Sequence, residues 1–317
     1  MEPKPRQGIG RTALEVTRLG LGGAPLARPG DAAGPPPEAS SSLIRRAFEL
    51  GVRYFDTAPL YGLGESERRF GAALRDFPRD DIVVSTKVGR ILDPAVRGGW
   101  RFDFSREAVQ RSVESSLERL GLDRIDILYV HDADDHFEEA CAGAFPALAD
   151  LRAQGVVGAI GAGMNQWEME LRFAKEFDLD VFLLAGRYTL LEQGALDEFL
   201  PYCAEHQISV VAGGPYNSGI LTNPAPGATY NYRPAPPAML ERAGRLDDVC
   251  ARHGVPLKAA ALQFVLAHPA VAAVIPGAQY PAEVEENVAM AGVPIPGALW
   301  ADLKAAGLLA AHAPTPG

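Results

Sequence analysis

The stretch Ile125-Asp126-Ile127-Leu128-Tyr129-Val130-His131 decides the architecture of this chain. Apolar side chains occupy both parities of the run, which fits a strand buried on both faces, as in a parallel sheet covered by helices. Two earlier runs share the design. Tyr54-Phe55-Asp56 ends in a carboxylate, and Ile82-Val83-Val84-Ser85-Thr86-Lys87 ends in an ammonium. The loop after Asp56 then presents a phenol, Tyr61, in Thr57-Ala58-Pro59-Leu60-Tyr61-Gly62. Ionisable groups at the ends of successive strands form a proton-transfer constellation, because in a β/α barrel those ends share the one face on which active sites are built.

Working outward, strand-like and helical patterns alternate along the whole chain. Helices are expected over 40–50, 65–74, 105–120, 137–154, 167–177, 196–206, 238–253, 257–267, 281–290 and 298–309. Ser105 is the expected N-cap of the third helix in this series. Strands are expected over 53–56, 82–87, 125–131, 159–163, 181–185, 209–212 and 271–275. An earlier strand near Val16–Leu21 brings the count to about eight, each followed by helical sequence. The segment Gly8–Leu26 also has the turn residues of a small hairpin, and Pro35-Pro36-Pro37 marks a loop.

Alternation alone also permits a doubly wound open sheet. Its dinucleotide fingerprint, however, is only half present in Gly161-Ala162-Gly163, where the third glycine is missing. The expected fold is therefore an α/β, (β/α)8 TIM barrel, a single domain over residues 1–317 with a short N-terminal β-hairpin and an extra C-terminal helix. Two loops exceed the usual ~2–6 residues: Gly89–Phe104, with Trp100, and Leu221–Pro237, with Tyr230. Both leave the catalytic face and are expected to wall the substrate and cover the cofactor.

Composition narrows the function. The 317 residues are 47% hydrophobic and carry a formal charge of −10, which argues against a nucleic-acid partner. No run of apolar residues is long enough for a membrane span and no basic-then-apolar leader is visible, so a cytoplasmic location is expected. Cys141, Cys203 and Cys250 have no metal-ligand spacing; they read as buried free thiols, and no metal is expected.

Taken singly, each ionisable residue has an ordinary structural explanation: Asp56 as a helix cap, Tyr61 as a rim aromatic, His131 as a core histidine. Together they support a chemical one. Lys87 and Asp56 are expected to pair, since a buried ammonium is costly alone. A phenol beside that ammonium is expected to have its pKa lowered and to serve as a general acid or base. His131 is expected to donate to the reacting oxygen.

The motif Asp56-x-Ala58-x-x-Tyr61-Gly62 with Gly64-Glu65-Ser66-Glu67 resembles the signature of the aldo-keto reductase superfamily. So do Ser85-Thr86-Lys87, the run from Ser112 to Asp126, and Tyr129-x-His131. The resemblance extends from about Arg11 to Asn287 and implies a barrel that binds a nicotinamide dinucleotide without a Rossmann fold. It implies Tyr61 as the proton-transfer residue, Asp56 and Lys87 as its tuners, and His131 as the orienter of substrate.

It also implies a cofactor site. Met164-Asn165 stands where the superfamily has Ser-Asn, so Asn165 keeps the carboxamide role. Gly213, Pro215, Tyr216 and Ser218 fall on the loop that walls the nicotinamide and pyrophosphate. The phosphate-binding stretch corresponds to Ile275–Asn287, bringing in Gly277, Ala278, Glu283, Glu286 and Asn287. Gly277 and Glu283 replace the Lys and Arg that hold the 2′-phosphate of NADP. Losing two cations and gaining an anion predicts NAD over NADP, with Glu283 free to accept from a ribose hydroxyl.

The runs Phe182–Gln193 and Asn217–Leu221 resemble a branch of aldose 1-dehydrogenases acting on L-fucose and related D-threo sugars, together with pyridoxal 4-dehydrogenase. The expected activity is NAD-dependent oxidation of an aldose at C1 to the lactone, with Tyr61 as general base and Trp100, Tyr216 and Tyr230 against a small sugar or aldehyde. Pyridoxal oxidation, NADPH-dependent carbonyl reduction and a non-catalytic nucleotide-sensing subunit are the alternatives.

Overall fold

The computed structural model describes residues 5–27 and 35–317. The chain opens with a hairpin, β1 (Arg6–Gly8) antiparallel to β2 (Glu15–Thr17), and then enters the barrel at β3 (Leu21–Gly22). The strand expected near Val16–Leu21 is thus two elements: Val16 belongs to the hairpin and Leu21 to the barrel. After α1 (Pro37–Glu49) come β4 (Tyr54–Asp56), α2 (Glu65–Leu74) and β5 (Val83–Val88). Pro37, read as loop, begins α1, where its missing N–H costs nothing.

A second hairpin, β6 (Arg90–Leu92) with β7 (Trp100–Phe102), occupies the long loop after β5. Next are α3 (Arg106–Leu120), capped by the Ser105 side chain accepting from the Ala108 amide, and β8 (Ile125–His131). The expected helix 137–154 is divided into α4 (Phe137–Glu139), a π-helical segment at Ala140–Ala144 and α5 (Phe145–Ala153). Pro146 in the first turn of α5 has no N–H and crowds the preceding turn, which accounts for the break.

β9 (Val157–Met164), α6 (Trp167–Glu176), β10 (Val181–Ala185), α7 (Phe199–Glu205) and β11 (Ser209–Gly213) follow. α7 is shorter than the pattern 196–206 suggests, because Pro201 lies within its first turn. The second long loop forms a small ladder, β12 (Thr229–Tyr230) against β13 (Arg233–Pro234). The chain ends in α8 (Pro237–Arg252), α9 (Leu257–Leu266), β14 (Val271–Ile275), α10 (Pro281–Ala291) and α11 (Gly297–Ala305).

Eight parallel strands hydrogen-bond in the order β14-β11-β10-β9-β8-β5-β4-β3. Parallel bridges Leu19–Val274 and Gly22–Gly277 bring the two edges together, completing the expected (β/α)8 barrel. Strand alternation sorts the core. Tyr54, Val83, Ile127, Tyr129, Ala159, Leu183 and Val211 pack inside, and Ile9 and Val16 of the first hairpin join that cluster. The opposite parity, including Leu128, Val130, Ile160 and Ala162, packs outward in the larger cluster that includes helical side chains. The same period of two turns Asp56, Lys87 and His131 inward at the carboxyl ends of β4, β5 and β8.

Candidate active site

Lys87 is the electrostatic centre of these strand ends. Its Nζ donates to both oxygens of Asp56, at 2.9 and 2.8 Å, and to the Thr57 carbonyl at 2.7 Å. Both charged side chains are buried. A buried pair survives only when its remaining lone pairs are satisfied, and Ser85 Oγ meets that need by donating to Asp56 at 2.7 Å. Tyr54 OH lies 3.1 Å from both Ser85 Oγ and Tyr129 OH, extending the network across three strands. Sequence reasoning missed Ser85, Tyr54 and Tyr129. The signal was their parity, since each shares the inward face of its strand with a tetrad residue.

Tyr61 sits above this pair on a turn with three consecutive left-handed residues, Gly62, Leu63 and Gly64. Gly62 is required there, because a Cβ would meet that of Ala27 at 2.3 Å. Lys87 Nζ lies 5.0 Å from the phenol ring centroid, and His131 packs edge-on to the same ring at 5.9 Å. The four residues named from the sequence therefore converge.

Their electrostatics differ from expectation. Burial, followed by the charges of Asp56 and Asp132, holds the Tyr61 hydroxyl well above the ordinary phenol range. The expected lowering by Lys87 fails because that ammonium is already neutralised by Asp56 at contact distance. Tyr61 is therefore a protonated phenol at neutral pH. His131 is pushed well below the ordinary imidazole range by burial, then by Lys87 and Arg90, so its ring is neutral. Its Nδ1 is sealed without a partner. Nε2 is thus the nitrogen able to reach a ligand, and Asp132 Oδ2 at 3.7 Å favours the tautomer with the proton there.

Other residues of the sequence signature are structural. Thr86 donates to the buried Glu67 at 2.7 Å, and Arg119 binds the other Glu67 oxygen at 2.5 Å. Ser66 donates to the Gly23 carbonyl at 3.0 Å. These bonds fix the start of α2, and with it the Tyr61 turn, against β5, α3 and the loop after β3.

A cleft of about 710 Å³ opens over Asp56 and Tyr61, bounded by Gly22, Gly23, Asn165, Gly213, Gly214 and Gly277 among others. It continues, through the shared residues Pro25, Gly214, Ser218, Tyr232 and Gly277, into a second space of about 1030 Å³ that ends at Gln279 and Glu283. Lys87 and His131 adjoin the Tyr61 ring beside this lining, and the Nε2 of His131 is not sealed as its Nδ1 is. The glycine wall leaves backbone at the surface. At Gly277 a Cβ would strike the Pro25 ring at 2.5 Å, so the close approach of these two loops needs glycine.

Of the residues expected to hold a cofactor, Asn165, Gly213, Ser218 and Gly277 line the first space. Pro215, Tyr216, Ala278 and Glu283 line the second. Asn165 donates its amide to the Ala185 carbonyl, which leaves its oxygen to accept. Two expected contacts lie off the wall. Glu286 is bound at 2.7 Å to Lys258, so its carboxylate serves the α9–α10 contact. Asn287 is buried and accepts from Tyr216 OH at 2.7 Å, making it a support for Tyr216. Glu283 accepts from the Gln279 amide at 2.6 Å, helping to hold the turn before α10.

The substrate set divides similarly. Trp100 does not line the cleft but stacks on Arg90, and Tyr230 lines a neighbouring space while donating to Glu192 at 2.6 Å. The sequence reading overlooked Gly22, Gly23 and Pro25, although the run Gly20-Leu21-Gly22-Gly23 was the visible signal. It gave Asn217 and Tyr232 no individual role, although both lie on loops it expected to wall the cofactor and the substrate.

A closed barrel with a Tyr–Lys–Asp–His group below a long glycine-walled cleft defines an oxidoreductase of the nicotinamide-binding barrel class. The chain belongs to the aldo/keto reductase family, whose model matches residues 18–307. It is 43% identical to a D-threo-aldose 1-dehydrogenase of Pseudomonas sp, covering 87% of this chain and 88% of that one. It is 39% identical to a pyridoxal 4-dehydrogenase of Microbacterium luteolum, with 96% and 98% covered, and 33% identical to an L-galactose dehydrogenase of Arabidopsis thaliana, with 89% and 86% covered. Among solved structures, an aldo-keto reductase of Bacillus halodurans in its holo form superposes with a TM-score of 0.79 at 29% identity, covering 96% of each chain. Enzymes of this family use nicotinamide cofactors on small aldehyde and sugar substrates. No described helix is long and apolar enough to cross a membrane.

Proposed function

We propose that this protein is an NAD-dependent aldose 1-dehydrogenase that oxidises the anomeric carbon of a pyranose such as L-fucose to the lactone, in the cytoplasm. The observation that carries the cofactor choice is the charge of the cleft's far end. Among the described residues, the lining from Pro25 to Glu283 contains one anion and no Lys or Arg. A 2′-phosphate brought there would lose charge-assisted hydrogen bonds and meet repulsion, whereas a ribose hydroxyl has an acceptor in Glu283.

The chain fits the cofactor in other respects. The bare backbone of Gly213 and Gly214 suits a flat ring, the Asn165 oxygen suits a carboxamide, and Ser218 and Ala278 border the space between. Once bound, the nicotinamide dinucleotide supplies the hydride acceptor.

The protein's own groups handle the proton. Oxidation removes the anomeric hydrogen as hydride and the hydroxyl hydrogen as a proton, and Tyr61 Oη receives the latter. Since burial keeps Tyr61 a protonated phenol at neutral pH, it must ionise first, which makes the rate rise with pH. His131 donates Nε2–H to the reacting oxygen and holds it in place. The Lys87–Asp56 pair fixes the phenol from below and excludes water from its buried side.

The sugar assignment is supported by the identity to the D-threo-aldose and L-galactose dehydrogenases. Pyridoxal is the second reading, favoured by the longer coverage of the pyridoxal relative. Initial rates with NAD on L-fucose, D-arabinose, L-galactose and pyridoxal separate the two. A kcat/KM for pyridoxal above that of every sugar refutes the aldose assignment, and a kcat/KM favouring NADP refutes the cofactor assignment.

A further inference from the structure

An ion pair beside the tetrad has no part in the chemistry described so far. Asp132 follows His131 at the tip of β8 with φ of 48°, a left-handed conformation that costs a non-glycine residue about 1 kcal/mol or more. Its amide donates to the Gly163 carbonyl at 3.1 Å, which holds the bend. Its carboxylate then lies 2.6 Å from Arg90 Nη2 and 3.7 Å from His131 Nε2.

Arg90 arrives on the β6–β7 hairpin, its guanidinium 4.7 Å from the Trp100 ring and 5.0 Å from that of Phe102. Arg90 Nε is sealed without a partner. The two side chains remain 20% and 24% accessible, so the pair presents a fixed donor and a fixed acceptor to solvent beside the catalytic imidazole. A half-desolvated pair contributes little net stability, which makes its cost more readily understood as recognition.

We propose that Asp132, held by Arg90, is the specificity residue that selects substrates bearing a hydroxyl next to the reacting carbon. The assignment rests on the reading of Tyr61 and His131 as the groups that hold the reacting oxygen. If that oxygen is held at His131 Nε2, the neighbouring oxygen of a vicinal pair, which stays within hydrogen-bonding reach of the first, falls towards Asp132 Oδ2. The carboxylate accepts a charge-assisted hydrogen bond from that hydroxyl, and Arg90 holds it aimed and opposes the rise in pKa that burial causes. A simple aldehyde leaves the same carboxylate without its partner, so the site discriminates against it. Trp100, expected from the sequence to touch substrate, acts here one step removed, as the platform for Arg90.

The test compares kcat/KM for NADH-dependent reduction of glyceraldehyde and of propanal, which lacks both hydroxyls. The wild-type enzyme is expected to favour glyceraldehyde by about tenfold or more. In Asp132→Asn, which keeps an acceptor for Arg90, that ratio is expected to fall about 10- to 100-fold. A wild-type ratio near one overturns the proposal without any variant. So does an Asp132→Asn ratio within about threefold of wild type, even when both rates fall together, since that marks a brace for His131 and not a recognition group. Failure to oxidise L-fucose would refute the proposed function and leave this comparison standing, because the aldehyde pair tests selection without it.

Discussion

Replacing Lys87 by Met tests the buried centre of the site most directly. The ammonium is held by three oxygens within 2.9 Å, two of Asp56 and one of Thr57. Removing it leaves a carboxylate that is 3% exposed with a single side-chain donor, Ser85. Loss of one partner from a buried pair costs about 3–5 kcal/mol, chiefly the desolvation of the stranded charge. At roughly 2 °C for each kcal/mol in a chain of this size, Tm should fall by about 6–10 °C. The double variant Asp56→Asn/Lys87→Met removes the stranded charge as well, and should recover more than half of the loss. Thermal scans and urea titrations of the wild type, both single variants and the double variant give the coupling energy. A Lys87→Met loss below about 1 kcal/mol, or a double variant no more stable than Lys87→Met, would refute the claim that this pair is dry and mutually dependent. Activity should be low in all three variants, because the phenol loses its support.

Four other experiments probe the remaining assignments. Tyr61→Phe should abolish turnover while leaving NADH binding, read by fluorescence titration, nearly unchanged. In the wild type, kcat for oxidation should climb through the alkaline range because burial raises the Tyr61 pKa, and a flat profile above neutrality would contradict that direction. Glu283→Arg, with Gly277 kept because a Cβ there would strike Pro25, should raise the kcat/KM ratio of NADP over NAD by about 10-fold or more, the worth of one charge-assisted bond. His268 is held neutral by burial, its pKa pushed down to about 4. The unfolded chain therefore binds its proton first as pH falls, so stability contributed by neutral His268 is lost between about pH 6.5 and 4. Urea unfolding of His268→Asn should show a shallower loss over that window.

How far the site could be read depended on which interactions were local. The strand pattern predicted β8 and β10 with their observed ends, and α2 likewise, because two-face burial and helical amphipathicity are written in residues a few positions apart. The same pattern set Asp56, Lys87 and His131 at strand ends, but which way they face was decided by the closed barrel. The breaks at Pro146 and Pro201 were also local but were overridden in the reading by the helical pattern around them. The division of the first strand at Val16 and Leu21 was not legible, since it depends on the hairpin packing against the barrel.

Residue types and order alone determined the (β/α)8 architecture and set Asp56, Lys87 and His131 at strand ends, while the reading of absent phosphate cations came from the family resemblance. Tertiary structure decided what those side chains are free to do. It committed the charge of Lys87 to Asp56, so the phenol of Tyr61 is raised instead of lowered. It assigned Glu286 to Lys258 and Asn287 to Tyr216, taking both off the cofactor wall. It also drew Arg90 from a hairpin loop to Asp132, beyond a strand it does not adjoin in sequence. A charge acts over ångströms in space whatever its distance along the chain, and only the folded barrel defines that spacing.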